Sequence, residues 1–496
     1  MGGVDSAVLV IYLAALAVIG WCCRSRQGSS EDFFLAGRRM GYFPIGLSVM
    51  VTTFSTLNFL AFPGEVYAHG LYVLISLPVF FLAAGAIVRI WMPFFHRMKL
   101  LSVYEYFEKR FDWRVRALAS GLFICWRLFW MAAALFASAQ IMAKLTGFPL
   151  TGVILVCGIA ATLYTAGGGL KAVMWTDVLQ FFVLFGAIVF CIGSLGSGFP
   201  FRTVAQEGLL APWYPFDASF FSFDPRVRIT FWSGLLGTFV MFLSRYGADQ
   251  MVVQRYFSAR DLRSAQRGLW LNGIVSVLSL GLLVVFGLSL HAGYSVRGAG
   301  AGAAPAFMAA MSALIRGMPP GMGGLVAAGL LAAAMSSIDS GLNSCCAAYL
   351  TDFHAHFSRR KISGRILTLA AGGLVIALAL TLIPLTARDR SLFALINQFV
   401  NALGSPLLAM MLLAMFSSRV NAAGMLWGGL CGFAGALLIS VSVQTLALHY
   451  YAVADLALTV ILCQLFSRIF GSPCSEENLR WLWRKQERSK GCTLKV

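Results

Sequence analysis

The stretch AAAMSSIDSGLNSCC, Ala332–Cys346, sits inside a long apolar run, yet it carries serines at 336, 337, 340 and 344 and one carboxylate, Asp339. At about 100° per residue, Ala333, Ser336, Ser337, Ser340 and Ser344 fall on one narrow helical stripe, with Met335, Ile338 and Leu342 opposite. Such a stripe lets another backbone approach closely. It also offers oxygens without fixed charge, the donors that a desolvated hard cation such as Na+ takes together with backbone carbonyls. Carbonyls are free only where a neighbouring helix is interrupted. A single serine in an apolar helix usually bonds back to its own turn; several in register, beside broken helices, point to a cation.

The surroundings decide the class. The chain has 496 residues, 59% hydrophobic and only 12% charged. About thirteen apolar runs are long enough to cross a bilayer. They lie near 4–23, 43–68, 71–95, 116–144, 149–166, 174–197, 228–253, 268–292, 320–350, 365–386, 392–417, 420–445 and 449–470. This predicts an all-α polytopic membrane protein with no large soluble domain. The net charge of +18 does not imply nucleic acid, because Arg and Lys cluster in alternate short loops. Arg24, Arg26, Arg38 and Arg39 form one cluster. Arg97, Lys99, Lys109, Arg110 and Arg114 form the next. Arg255, Arg260, Arg263 and Arg267, then Arg359, Arg360 and Lys361, follow on the same side. The richer side is expected to be cytoplasmic, with the N-terminus outside and the C-terminus inside a cell membrane. The first apolar run lacks a basic lead and reads as a retained helix. The basic tail SEENLRWLWRKQERSKGCTLKV is expected either to lie on the anionic leaflet or to stay a solvated, disordered tail.

The second run, FPIGLSVMVTTFSTLNFLAF, is interrupted by hydroxyls at Thr52–Thr56 and followed by Pro63-Gly64. Five runs later, ITFWSGLLGTFVMFLSRYGADQ is also polar and glycine-interrupted. Five is odd, so the two cross in opposite directions. Paired broken helices in inverted halves mark a transporter site near the midplane. The cysteines, Cys125, Cys157, Cys191 and Cys431 among them, read as buried small hydrophobes. The six histidines pair with no nucleophile or metal ligand, which argues against an enzyme.

Four words carry a family likeness: SVYEYFEKRF (102–111), TAGGGLKAVMWTDVLQ (165–180), RYGADQMVVQRYFSARD (245–261) and AAAMSSIDSGLNS (332–344). From about residue 30 to 440 the chain resembles the sodium:solute symporters, nearer the iodide, multivitamin and monocarboxylate branch than the sugar branch. The resemblance implies the inverted-repeat fold of the leucine transporter with an extra N-terminal helix. It divides the chain into residues 1–42, a first five-helix repeat at 43–227, an inverted repeat at 228–417, two more helices at 418–470 and a tail. It implies a main Na+ site on the backbone oxygens of Val51, Phe54 and Ala333 and the hydroxyls of Ser336 and Ser337. It also implies a possible second Na+ between Asp177, Ser336, Asp339 and Ser340. Asp339 departs from the small hydroxyl common in the family, so a role in proton coupling stays open.

The implied function is sodium-coupled symport of a small solute into the cell. Proton coupling, or a neutral sugar or vitamin as cargo, is the alternative. Ser55, Thr56 and Asn58 follow the first break. Arg127 and Arg245 are intramembrane arginines, costly and hence functional candidates, and they favour an anionic solute. Arg245 stands four residues before Asp249, so an intrahelical ion pair is the competing reading, while Arg127 has no local partner. Trp130 stands where sialate carriers place an arginine, which counts against sialate. Asn397 and Gln398 are further polar candidates. Sodium, the solute and the bilayer are the implied partners; no protein partner is implied.

Overall fold

The computed structural model describes residues 2–23, 29–54, 56–195, 218–227, 229–295, 310–311, 313–315, 317–358, 360, 362–386, 392–443, 446–471 and 476–486. Every apolar run anticipated above coincides with helix. Helix α1 spans Gly3–Cys22, and a short helix α2 spans Ser30–Leu35. The second run is two helices, α3 (Tyr42–Thr53) and α4 (Thr56–His69). Helix α5 (Ser76–Ala86) continues through a π turn, Ile87–Trp91, to His96. A short α6 (Glu105–Arg110) precedes α7 (Trp113–Thr146).

Helix α8 covers Leu150–Ser194, 45 residues. At 1.5 Å per residue that is about 68 Å, twice a bilayer core. Gly169 resolves the excess: its φ of 57° and ψ of −159° break the helix into two crossings. Only glycine takes that conformation without strain.

The second broken crossing is α9 (Phe231–Gly247) and α10 (Gln250–Phe257). Then come α11 (Leu262–Ser295), α12 (Met322–Ala348), α13 (Gly364–Thr386) and α14 (Leu392–Phe416). Helices α15 (Ala422–Ser442) and α16 (Leu448–Phe470) form the last pair.

Helix α12 is the centre of the bundle. In its most apolar stretch 94% of the residues are buried by protein, against 17% in α1 and 22% in α16. It packs mainly on α8, α7 and α1. This explains its composition: small residues allow close approach on every side. The outer helices turn large apolar side chains such as Ile11, Val156 and Ile366 outward, as lipid contact requires.

Four residues depart from expectation. Arg255, taken as part of a basic loop, is fully buried, and so is Arg110. Arg110 donates to the carbonyls of Ala414 and Ser417, which closes the end of α14. Cys125 is exposed on the outer face of α7, and Cys431 is only half-buried.

Candidate functional site

The break between α3 and α4 is local in origin. Phe54 leaves the helical region (φ −105°, ψ 106°), and the Thr53 hydroxyl bonds back to the Met50 carbonyl. The Val51 carbonyl accepts the Phe54 N–H at 3.1 Å. It also accepts the Ser336 hydroxyl of α12 at 3.3 Å. Ser336 and Ser337 lie 3.1 and 3.4 Å from the Ala333 carbonyl. Two carbonyls and two hydroxyls, all buried, thus converge where the broken helix meets α12. The structure brings together Val51, Ala333, Ser336 and Ser337. Phe54 sits at the break with its ring turned onto Phe185. Among the described residues, the Ser344 hydroxyl bonds back to Ser340 and Gly341 of its own helix.

One turn further along α12 lies a charged cluster. The Asp177 carboxylate accepts from Ser48 at 2.5 Å and Thr52 at 3.5 Å, and Thr52 meets the Ser340 hydroxyl at 2.9 Å. Arg255 reaches into it. Its guanidinium donates to Ser48 at 2.7 Å, Ser340 at 2.5 Å, the Met251 carbonyl at 2.5 Å and Asp177 at 3.3 Å. Asp339 accepts the Tyr164 hydroxyl at 2.7 Å on one oxygen and the Ser340 N–H at 2.6 Å on the other. The remaining oxygen of Asp177, Oδ1, is buried without a hydrogen-bond partner among the described residues. Arg255, Ser48 and Tyr164 escaped the sequence reading. The available signal for Arg255 was its place one turn beyond Met251 in QMVVQRYF, a helix buried at every residue.

The second break is held by Asp249. Its side chain caps α10 by accepting the Met251 N–H at 3.0 Å. It also forms a buried ion pair with Arg127 of α7. The intrahelical pair with Arg245 does not form. Arg245 is half-buried, donates to the Thr53 carbonyl at 3.4 Å and has no carboxylate partner among the described residues.

Arg245 lines a cavity of about 100 Å3 between the two broken helices, α5 and α11. Asn58 lines it too and donates to the Thr53 carbonyl at 3.2 Å. Ser76, Ser276 and Ser279 add hydroxyls, and Phe62, Phe80 and Phe242 supply apolar wall. Arg127 and Trp130 do not line it; Trp130 packs against the helix core. Ser55 lies outside the described residues, as do the side chains of Thr56, Asn397 and Gln398.

Several proteins similar to this chain are, by name, sodium-coupled carriers. The Sodium/sialic acid symporter NanT of Aliivibrio fischeri is 27% identical over 98% of this chain and 97% of its own length. The human Sodium/iodide cotransporter is 29% identical over 88% of this chain and 70% of its own. The rabbit Sodium-dependent multivitamin transporter is 31% identical over 88% and 69%. Among solved structures, a substrate-bound, outward-open Na+-coupled sialic acid symporter superposes with a TM-score of 0.84 at 25% identity, over 96% of this chain and 99% of that one. The nucleobase-cation symporter Mhp1 shares the fold at a TM-score of 0.57 and 15% identity. The sequence profile of the Sodium:solute symporter family matches residues 33–432. A multi-pass membrane protein that couples the passage of an organic solute to Na+, the chain belongs to the sodium:solute symporter family.

Proposed function

We propose that the chain imports a small organic anion, held by Arg245, together with Na+ bound by Val51, Phe54, Ala333, Ser336 and Ser337. The observation that carries the solute reading is the Arg245 guanidinium, which has no carboxylate partner among the described residues, in a cavity between two broken helices. A cation without a counter-charge in a half-buried site is costly, and a carboxylate arriving with the solute would balance it. The cavity is small and largely apolar, which favours a short monocarboxylate over a sugar acid. Trp130, in place of an arginine, points the same way. Arg127, already paired with Asp249, serves the break rather than the solute.

Charge balance also supports a second Na+. Asp177, Asp339 and Arg255 are all fully buried. With every group ionised, two carboxylates and one guanidinium leave one negative charge. The orphan oxygen of Asp177, with Asp339 and Ser340, is the place for a monovalent cation. The competing reading is a proton in the same role, which would make the carrier proton-coupled. Alternating access then rocks the two halves about these sites, 43–227 against 228–417. The distribution of basic loops supports an N-terminus outside and a C-terminus inside.

Uptake into proteoliposomes tests the proposal, with short monocarboxylates, sugar acids, neutral sugars and iodide offered with and without a Na+ gradient. Na+-driven uptake of a monocarboxylate that Arg245→Gln abolishes is the expected result. Transport of neutral sugars unaffected by Arg245→Gln would overturn it.

A further inference from the structure

A second cavity, of about 480 Å3, lies away from both sites described above. Leu13 and Ala17 of α1, Leu163 of α8 and Leu369 of α13 form its walls, and Met335 and Tyr164 form its inner end. The walls continue into the faces that these helices turn outward: Val18 and Trp21 on α1, Leu163 on α8, and Ile366 and Leu369 on α13 are all exposed. In a membrane-spanning chain such a face meets acyl chains, so the cavity is a groove open to lipid.

One end of the groove is basic. Arg365, at the start of α13, lines it half-buried and has no hydrogen-bond or ion-pair partner among the described residues. Exposed Lys171 follows the Gly169 turn of α8 by two residues. Exposed Arg360 precedes α13 on the adjoining loop. Two close backbone crossings fix the shape. A Cβ on Gly20 would stand 3.2 Å from that of Tyr164, and one on Gly168 would stand 3.2 Å from the Gly20 carbonyl. Helix α1 is therefore packed closely on α8 beside the Gly169 turn.

We propose that this groove binds an anionic glycerophospholipid from the bilayer, with its phosphate on Arg365 and an acyl chain against Leu13, Leu163 and Leu369. An apolar trough ending in an unpaired guanidinium matches a lipid with an apolar tail and a charged head. A zwitterionic lipid fits less well, because its own ammonium competes for the phosphate. The site touches transport at one point. Tyr164 forms the inner end, and its hydroxyl holds Asp339. An acyl chain in the groove backs that ring and steadies the carboxylate.

The test is native mass spectrometry of the delipidated full chain, titrated in detergent with phosphatidylglycerol or phosphatidylcholine. One phosphatidylglycerol should bind in preference to phosphatidylcholine. Arg365→Gln removes a charge-assisted contact and should weaken that binding roughly tenfold or more. Ala17→Phe alters an exposed position on the rim, leaves Arg365 untouched and should block the groove to a similar extent. Equal binding of the two lipids, or undiminished phosphatidylglycerol binding in either variant, would overturn the proposal.

Discussion

Arg127 of α7 is bound to Asp249 at the break between α9 and α10, across 122 residues of sequence. The pair is buried, and it joins the first half of the chain to the interrupted helix of the second. Removing one partner of such a pair leaves an unbalanced charge, at a cost of about 3–5 kcal/mol. Asp249→Asn keeps an oxygen to cap α10 but strands Arg127, so it should sharply lower the melting temperature in detergent. Arg127→Met combined with Asp249→Asn should recover much of the loss. A single variant as stable as the parent would show that the pair contributes nothing.

That pairing frees Arg245. Arg245→Gln should abolish anion uptake while leaving Na+ binding in place, because among the described residues Arg245 makes a hydrogen bond only to the Thr53 carbonyl. Arg245→Lys keeps the charge but loses the planar fork, so it should retain uptake at a raised KM. Tracer uptake gives the first result. Na+-induced quenching of intrinsic fluorescence gives the second.

The hydroxyls at the helix break carry the next expectation. Ser337→Ala removes one oxygen from a desolvated cation, a contact worth about 1.5–3 kcal/mol. The half-saturating Na+ concentration should therefore rise about tenfold or more. Ser344→Ala is the control. Among the described residues, the Ser344 hydroxyl bonds back to its own helix, and its loss should leave Na+ dependence unchanged. Equal behaviour of the two variants would refute the assignment of the main site.

Much of this was legible in the sequence, for reasons that can be named. Hydropathy marks each crossing because lipid tolerates little else. The helix breaks announce themselves through hydroxyls and glycines, and the serine stripe follows from helical periodicity alone. The charge partners were hidden. Arg127 and Asp249, or Arg255 and Asp177, meet only when distant helices pack, and no local spacing encodes that. Arg255 was misplaced because a basic residue near the end of an apolar run looks like a loop residue. Its burial depends on Ser48, Ser340 and Asp177 arriving from three other helices.

Helix α1 also ties the central helix at its start. Asp5 accepts the N–H groups of Gly321 and Gly324 at 2.8 and 3.0 Å, so a side chain of α1 caps α12. Asp5→Ala should cost about 0.5–2 kcal/mol, the usual loss for a cap. Thermal unfolding in detergent would register it as a lower midpoint. Na+ affinity in the folded variant should stay unchanged, because the capped Gly324 lies about 18 Å along α12 from Ser336. An unaltered midpoint would mean that the two helices are held together by packing alone.

The final prediction follows from counting charges beside α12. Asp177, Asp339 and Arg255 together leave one negative charge if all are ionised, and a second Na+ would cancel it. Asp339→Ser removes one carboxylate and leaves Arg255 balanced by Asp177, so no second cation is needed. Transport should continue through the main site, with one fewer Na+ moved per solute. Asp177→Asn leaves Arg255 balanced by Asp339 and also loses the unpartnered oxygen, so the same drop is expected. Arg255→Gln acts in the opposite sense. It strands two carboxylates close together and should destabilise the fold unless Na+ is high. The readout is the ratio of charge to solute flux, with tracer Na+ counted in parallel. If a proton plays the part of the second Na+, the parent should instead be driven by a pH gradient alone, and Asp339→Ser should end that response. A flux ratio that neither aspartate variant changes, in a carrier indifferent to the pH gradient, would show that Arg255 and its hydroxyl neighbours hold the cluster without any second ion.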